Sequence, residues 1–361
     1  MLLKRLGLRN YRNYERLDLE PVPGLNIFLG SNGQGKTNLL ESIALTALSA
    51  SPRARRESEL VGPLVPACRV EAVVESGGRT REVEIDVRVE KERARREIRV
   101  DGVKRRAAEL PGVVRVALFW PDDLGLVKGG PELRRRFLNQ LLVQVEPGYA
   151  GALASYSRVL EQRNHLLKRI WAGDEGRDAL GIWDDELVRH GGILAEARGR
   201  AVEQLAPLAA DFHRLVSGGE RLEVRYLGPP DDLTGAVHNS IGEDLRRGAT
   251  SVGPHRDDLV IDIDGRDARG FGSQGQQRTA VVSLKQAEAA LSRVRSGEAP
   301  ILLLDDVLSE LDASRRRALL EGVGADSQVV ITAVDAEAFP HSMIAGACVR
   351  CIDAGVLVRC G

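Results

Sequence analysis

Gly30-Ser31-Asn32-Gly33-Gln34-Gly35-Lys36-Thr37 carries the spacing G-x-x-x-x-G-K-[ST]. Glycines in such a run let the backbone curl until successive N–H groups face a β-phosphate. A helix opening directly behind the run adds the partial positive charge of its N-terminus. Lys36 is placed to reach the β- and γ-phosphates, and Thr37 to ligate Mg²⁺. A second set of oxygens follows the apolar run Ile301-Leu302-Leu303-Leu304. Asp305 is the candidate Mg²⁺-side ligand, acting through water. Asp306 is the candidate that orients or deprotonates an attacking water, so Lys36 and Asp306 form the expected catalytic pair. The strand ending in these carboxylates is expected beside the strand that carries the loop.

Two further motifs sit nearby. Ser309-Glu310-Leu311-Asp312 follows the carboxylates at once. Alone it reads as a helix N-cap with acidic first-turn residues; its position makes it a candidate subunit-contact loop. Phe271-Gly272-Ser273-Gln274-Gly275-Gln276-Gln277-Arg278 precedes a helix. Ser273, Gly275 and that helix N-terminus make another surface suited to phosphate.

The elements that must hold these residues follow from periodicity. Leu2–Leu8, Arg16–Leu19 and Leu25–Leu29 read as strands, and Asn38–Leu48 as the helix after the phosphate loop. Arg69–Glu75 and Glu82–Val89 alternate apolar with polar across Gly77-Gly78, which is a hairpin pattern. Asp101-Gly102 marks another turn, and Val113–Phe119 a buried strand. From about Pro131 to Leu215 the chain turns rich in Leu, Ala, Arg and Glu at helical spacing. Apolar stripes through Leu133–Leu142, Leu153–Leu167 and Ile193–Leu208 give three helices, broken at Gly173, Gly176 and Gly181. No heptad persists, so a compact helical lobe is expected and a long coiled coil is not. Leu259–Ile263, Ala280–Leu291, Ile301–Leu304, Arg315–Leu320 and Val329–Thr332 restore strand, helix, strand, helix and strand. The fold class is therefore α/β: one discontinuous domain over 1–125 and 220–361, interrupted by a helical lobe over 126–219.

The 361 residues suffice for two domains, with 43% hydrophobic and 29% charged residues. The 51 Lys and Arg nearly cancel the 52 Asp and Glu, so bulk positive charge cannot drive nucleic-acid coating. Seven Lys stand against 44 Arg, which makes Lys36 a rare residue type in an informative place. No apolar run reaches the ~18–20 residues of a bilayer span, and MLLKRLGLRNYRN has no signal-peptide core. Cys348 and Cys351 form C-x-x-C with Cys360 nearby, but no partner pair completes a zinc site. Buried free thiols on a C-terminal strand and a reducing cytosol are expected.

Ser273-Gln274-Gly275-Gln276-Gln277 resembles the signature motif of the ABC ATPase superfamily, usually Leu-Ser-Gly-Gly-Gln. Signature, acidic strand and Ser-Glu-Leu-Asp come in that superfamily's order. The resemblance implies that Ser273, Gln274, Gly275 and Gln276 of one subunit cap an ATP held by the loop of another. With one copy of each half-site, it implies a homodimer sandwiching two ATPs. The match sharpens with Gly253-Pro254-His255-Arg256-Asp257-Asp258, Leu302–Asp312, Leu8–Tyr14 and Phe119–Leu124, with Gly129, Gly130, Pro131, Arg134 and Arg135 beyond. Together these resemble the bacterial RecF family of recombination mediators, from the first strand to Thr332. That resemblance implies an ATP-closed homodimer on double-stranded DNA near single-strand gaps and junctions, helping RecO and RecR to load RecA. Hydrolysis with Mg²⁺ would reopen it.

Two departures follow. Val330-Ile331-Thr332-Ala333-Val334-Asp335 holds no switch His, so water positioning rests on Asp306 and slow hydrolysis is expected. No Q-loop Gln stands near Trp120–Leu124, where Asp122 or Asp123 would serve instead. His255 and Arg256 fit either a local bend with a satisfied imidazole or a nucleotide or interlobe contact. A run of charge is ordinarily a solvated face. The resemblance makes Arg53, Arg55 and Arg56, and Arg134, Arg135 and Arg136, candidate contacts to duplex phosphate. Two competing readings remain: the ATPase subunit of a membrane transporter, and an SMC- or Rad50-like structural clamp. The missing switch His and the long stretch between Thr37 and Ser273 weigh against the first. The same stretch is too short and too Gly-broken for the coiled-coil arms of the second.

Overall fold

A computed structural model describes residues 1–91, 93–310, 315–316, 319 and 327–360. β1 (Leu2–Tyr11) and β2 (Tyr14–Leu19) make the first hairpin; β3 (Leu25–Leu29) runs into the glycine loop and α1 (Lys36–Leu48) leaves it. β4 (Ala67–Ser76), β5 (Arg79–Glu90), β6 (Arg93–Val100) and β7 (Val103–Arg105) form a meander, followed by β8 (Val116–Phe119). Helices α2 (Gly125–Lys128), α3 (Pro131–Val145), α4 (Tyr149–Ala172) and α5 (Gly181–Ser217) come next. Then β9 (Leu222–Leu227), α6 (Leu233–Arg247), β10 (Asp258–Ile263), β11 (Arg266–Asp267), α7 (Ala268–Phe271) and α8 (Gln274–Ser296) follow. The chain closes with β12 (Ile301–Asp305), β13 (Val329–Ala333), β14 (Cys348–Asp353) and β15 (Val356–Val358).

The described strands form three sheets. An antiparallel sheet runs β2-β1-β4-β5-β6-β7, a mostly parallel one β15-β14-β3-β13-β12-β8, and a small one β11-β10-β9. Strict alternation along β4 buries Cys68, Val70, Ala72 and Val74 on one face, and the register Val70↔Ile85 and Ala72↔Val83 aligns β5 with it. That face covers α1, whose Leu39, Leu40, Ile43, Ala44 and Ala47 lie in the same core as Val116, Leu118, Leu303 and Val330 of the parallel sheet. α1 is thus buried on nearly every side, as a helix apolar all round must be. The helix behind the phosphate loop is fixed by two sheets at once.

The acidic strand is not beside the loop strand. β13 lies between β3 and β12, pairing Thr332 with Phe28 on one side and with Asp305 on the other. The side chain of Thr332 spans the difference, as described below.

A second core joins the helices to the small sheet. Phe137, Leu141, Tyr149, Tyr156, Leu194 and Leu205 pack with Val224, Ile261 and Leu284. The helices of 126–219 therefore share their interior with β9, β10 and α8. α5 spans 37 residues with Pro207 inside it, longer than the stripe Ile193–Leu208 indicates. Of the expected helix 315–320, Arg315, Arg316 and Leu319 are described and are helical.

The free-thiol expectation needs correction at one pair. Cys351 on β14 and Cys360 beyond β15 are disulfide-bonded, because the β14–β15 hairpin brings their Cα atoms to 5.2 Å. Cys68 and Cys348 are free. Among the described residues, no helix is long and apolar enough to cross a membrane.

Candidate functional site

The loop from Gly30 to Gly35 is held from three directions. Gly30, Gly33 and Gly35 all have positive φ, and a Cβ on Gly30 would run into the Ile352 carbonyl. The first hairpin supplies Asn13 Nδ2 to the Gln34 carbonyl (2.9 Å) and Tyr14 Oη to the Gly35 carbonyl (2.9 Å). The last hairpin supplies the Gly355 N–H to the same Gln34 carbonyl (2.9 Å) and the Ala354 N–H to Gln34 Oε1 (2.5 Å). Asn38 Nδ2 donates to Asn13 Oδ1 (2.8 Å) and ties α1 to that turn. The loop is preorganised by residues from both ends of the chain.

Lys36 is buried, and its ammonium donates to the Gly30 carbonyl (2.5 Å) and the Ser31 carbonyl (2.9 Å). Burial lowers its pKa, and the neighbouring Asp306 and Asp305 oppose that fall. Thr37 Oγ1 donates to Asp305 Oδ1 (3.1 Å), and Thr332 Oγ1 donates to the same oxygen (2.8 Å). Burial pushes the Asp305 carboxyl above the usual range, with the two hydroxyls holding it back. Asp306 sits at φ 50°, a left-handed turn that ends β12. Its N–H donates to Thr332 O (3.2 Å), and Thr332 Oγ1 lies 3.1 Å away. These groups share one cavity of about 360 Å³, lined by Asn32, Gly33, Lys36, Thr37, Arg53, Pro121, Asp305 and Asp306.

Arg53, Arg55 and Arg56 are all exposed. Arg53 also lines this cavity, with Nη1 3.2 Å from Asn38 Oδ1. The second arginine cluster does not form one face. Arg134 is buried, forks onto Asp258 (2.5 and 2.9 Å) and donates to the Leu126 and Gly129 carbonyls. Arg135 donates to the Asp257 carbonyl (2.7 Å) and Arg136 to the Pro52 carbonyl. Successive helical residues point in different directions, so three arginines in a row cannot share one patch.

The motif Gly253–Asp258 is a structural hub. Asp258 holds Arg134, and Asp257 accepts from Arg198 (2.8 Å) and from Tyr226. His255 Nε2 lies 2.9 Å from the Thr250 carbonyl and Nδ1 2.7 Å from Tyr156 Oη. A carbonyl only accepts, so Nε2 carries the proton and the tyrosine donates to Nδ1. Burial lowers the His255 pKa. The satisfied-imidazole reading describes His255; Arg256 Nη2 also reaches the Thr250 carbonyl (3.3 Å).

Ser273 caps α8: its Oγ accepts the Gln276 N–H (3.2 Å) while Gln276 Oε1 accepts the Ser273 N–H (2.8 Å). Gln276 Nε2 also donates to Glu220 (2.8 Å). Gln274 opens the helix, and Gly275 lies against Arg315. None of the four lines the cavity around Lys36. Ser309 and Glu310 lie in a short 3₁₀ turn after Asp306, whereas Leu311 and Asp312 fall outside the described residues. Of the two Q-loop candidates, Asp122 and Asp123 both line a neighbouring cavity with Thr37 and Asp305. Asp123 accepts the Trp120 N–H (2.7 Å) and lies 3.9 Å from buried Lys285 of α8; burial raises its pKa.

Motif spacing does not single out Asn13, Tyr14 or Thr332 as parts of this site. A polar Thr at the end of an otherwise apolar strand is the one local sign of Thr332. Residues present fit Mg²⁺ with a nucleotide: Thr37 Oγ1 and Asp305 Oδ1 converge beside the loop, and such a site needs only one or two carboxylates besides phosphate oxygens. The described residues hold no group of three or more His, Cys, Asp and Glu suited to bind a metal unaided.

A glycine loop between a parallel strand and a helix, an acidic pair two strands away and a covering antiparallel sheet define a P-loop head of the ABC ATPase type. The profile described as RecF/RecN/SMC N terminal domain matches residues 2–350. The chain is 39% identical over 372 residues to the DNA replication and repair protein RecF of Heliobacterium modesticaldum, covering 99% of each. It is 41% identical to that of Chloroflexus aurantiacus, covering 96% of each. The solved recombination mediator protein RecF-ATPrS in the RecFOR pathway superposes with a TM-score of 0.90 at 33% identity, covering 100% of this chain and 98% of the other. An SMC head bound to the C-winged helix domain of ScpA shares the fold at a TM-score of 0.58 and 15% identity. The chain belongs to the RecF family.

Proposed function

We propose that this protein is an ATP-dependent DNA-binding protein of recombinational repair. ATP occupies the Gly30–Thr37 loop, its β- and γ-phosphates facing Lys36 and the loop N–H groups. Thr37 and Asp305 would hold Mg²⁺, which neutralises phosphate charge when bound. Two copies close on two ATPs, with Ser273–Gln276 of each copy capping the γ-phosphate on its partner. Ser309–Asp312 contributes to that contact. The closed dimer holds duplex DNA near single-strand gaps and, with RecO and RecR, helps to load RecA. Asp306 orients the attacking water, and slow hydrolysis reopens the dimer. ATP thus shifts a population between open and closed forms.

The observation that carries this reading is the split between the two phosphate surfaces. Lys36, Thr37, Asp305 and Asp306 share one cavity, and the Ser273 helix start does not line it. A half-built site of this kind is completed by a second copy. Relatives at 39% and 41% identity that are named DNA replication and repair proteins favour this reading over a transporter subunit. Arg55 and Arg56 are the arginines we assign to duplex phosphate, and we divide the chain functionally into a head (1–125, 220–361) and a helical lobe (126–219).

The test is binding to a gapped duplex with and without ATP, across a salt series. Binding should be ATP-stimulated and fall with salt; indifference to both would remove the DNA reading. Asp306→Asn with ATP and Mg²⁺ should accumulate dimers in light scattering. Monomers only would sink the sandwich.

A further inference from the structure

A second cavity of about 300 Å³ adjoins the one around Lys36 and shares Thr37, Arg53, Pro121 and Asp305 with it as lining. The second shares Pro52, Arg53, Arg136 and Gln140 with a third, of about 740 Å³, that opens between the segment after α1 and helices α3 and α4. Arg53 lines all three.

Arginines become more numerous outward along these cavities. Asp305 and Asp306 line the inner one with Lys36 and Arg53, and Asp122 and Asp123 line the second with Arg53 and Arg136. The outer cavity carries Arg53, Arg55, Arg135 and Arg136 against Glu132, with Arg198 already paired to Asp257. Arg135 and Arg136 spend donors on the carbonyls of Asp257 and Pro52, which leaves their charge available to an anion. Burial first, and then the neighbouring Arg198, lowers the Arg135 pKa, with Glu132, Asp258 and Asp257 opposing the fall.

We propose that these cavities form an exit path for inorganic phosphate, from the nucleotide loop past Arg53 to Arg136 and Arg135 and out between the head and the helices. This rests on the ATPase reading above. Water adds through its oxygen to Pγ, the bond from Pγ to the β–γ bridging oxygen breaks, and ADP, orthophosphate and one proton result. In a closed dimer the partner's Ser273 helix covers the open face of the loop, so phosphate must leave elsewhere. Arg53 and Arg136 offset the carboxylates of the second cavity, and the outer guanidiniums draw phosphate on. A cavity of about 740 Å³ has the size of a small-ligand site.

The test compares the whole protein with the Arg135→Gln/Arg136→Gln double variant. Acid-quenched single turnovers report ATP cleavage, and a fluorescent phosphate sensor reports release. The variant should cleave at the wild-type rate and release phosphate roughly tenfold more slowly, the lower range of charge steering in a cleft. Release that stays locked to cleavage, or an equal fall in both, overturns the path. A second arm needs no hydrolysis: ³¹P line broadening of inorganic phosphate by the ADP-loaded protein. Broadening in the wild type that weakens in the variant supports the path even if no ATP is cleaved, in which case the ATPase reading alone fails. Absence of broadening in the wild type overturns it. Loss of broadening on adding a single-stranded oligonucleotide overturns it in favour of a nucleic-acid backbone. Matching thermal melts of the two proteins confirm that the variant folds.

Discussion

Thr37 and Asp305 meet although 268 residues separate them, with Thr37 Oγ1 donating to Asp305 Oδ1 over 3.1 Å. The first turn of α1 and the last residue of β12 are brought together because both end at the same edge of the parallel sheet. Thr332 completes the arrangement from the strand between. The contact is poised to open toward a cation: the hydroxyl that now donates to the carboxylate has lone pairs of its own.

Asp305→Asn therefore separates metal dependence from folding. Burial raises the Asp305 pKa, so stability is lost as pH rises from the ordinary carboxyl value to the raised folded one, and the whole cost is present above it. The amide carries no such cost, and the unliganded variant should melt at or above the wild-type temperature at pH 8. Ligand at a hundredfold excess over Kd stabilises a protein by about 2.7 kcal/mol. Most of that gain from Mg²⁺ and ATP should vanish in the variant. A full Mg²⁺-dependent shift in calorimetry would remove Asp305 from the metal side.

Lys36→Ala tests the other half of the cavity. The ammonium turns from two loop carbonyls to phosphate at little cost, since both partners are hydrogen-bond acceptors. Charge-assisted hydrogen bonds contribute about 1.5–3 kcal/mol each, so loss of two should weaken nucleotide affinity at least on the order of a hundredfold. Titration calorimetry with a slowly hydrolysed ATP analogue measures this. Unchanged affinity would refute the site.

The parts of the site that are legible in sequence are those written in contiguous residues. Gly30–Thr37 and Ile301–Asp306 announce themselves because backbone conformation and strand burial are local demands. Strand order is not local: nothing within β12 or β3 states that β13 lies between them. Arg134 is equally opaque, because its carboxylate partner Asp258 is 124 residues away. Arg53, Arg55 and Arg56 look like one group in sequence, yet the turn after α1 sends Arg53 into the nucleotide cavity and leaves the other two outside it. The Cys351–Cys360 pairing depends on a hairpin whose second strand has no clear periodic signal.

The arginine clusters should now separate by experiment. Arg134→Ala leaves Asp258 without its forked partner in a largely buried setting, where breaking an ion pair costs about 3–5 kcal/mol. Urea unfolding should show that loss. Arg55→Ala and Arg56→Ala are exposed changes and should alter stability by no more than about 0.5 kcal/mol. They should instead lower affinity for gapped duplex and reduce the salt slope by about 1 for each phosphate no longer neutralised. An Arg134→Ala protein of native stability would contradict the geometry, and DNA affinity untouched in the Arg55→Ala/Arg56→Ala double variant would clear that face.

Acidification should weaken the helical side of the molecule through two buried imidazoles. Burial lowers the pKa of His255 and of His213. The unfolded chain, with histidine near pKa 6.5, then binds protons that the folded chain refuses. Stability from this source is full above that value and declines as pH falls through it toward the folded pKa. Each histidine can contribute at most about 1.4 kcal/mol per pH unit. The measurement is a difference, since carboxylates titrate in the same range: unfolding free energy at pH 7.5 minus that at pH 5.5, in wild type and in His255→Asn. Asparagine can still accept from Tyr156, although it cannot protonate. The difference should shrink in the variant. An equal pH dependence in both proteins would mean that His255 takes up its proton alike in the folded and unfolded chain, which contradicts a buried neutral imidazole; a difference that grows in the variant would mean that His255 is charged in the fold, with both ring nitrogens as donors.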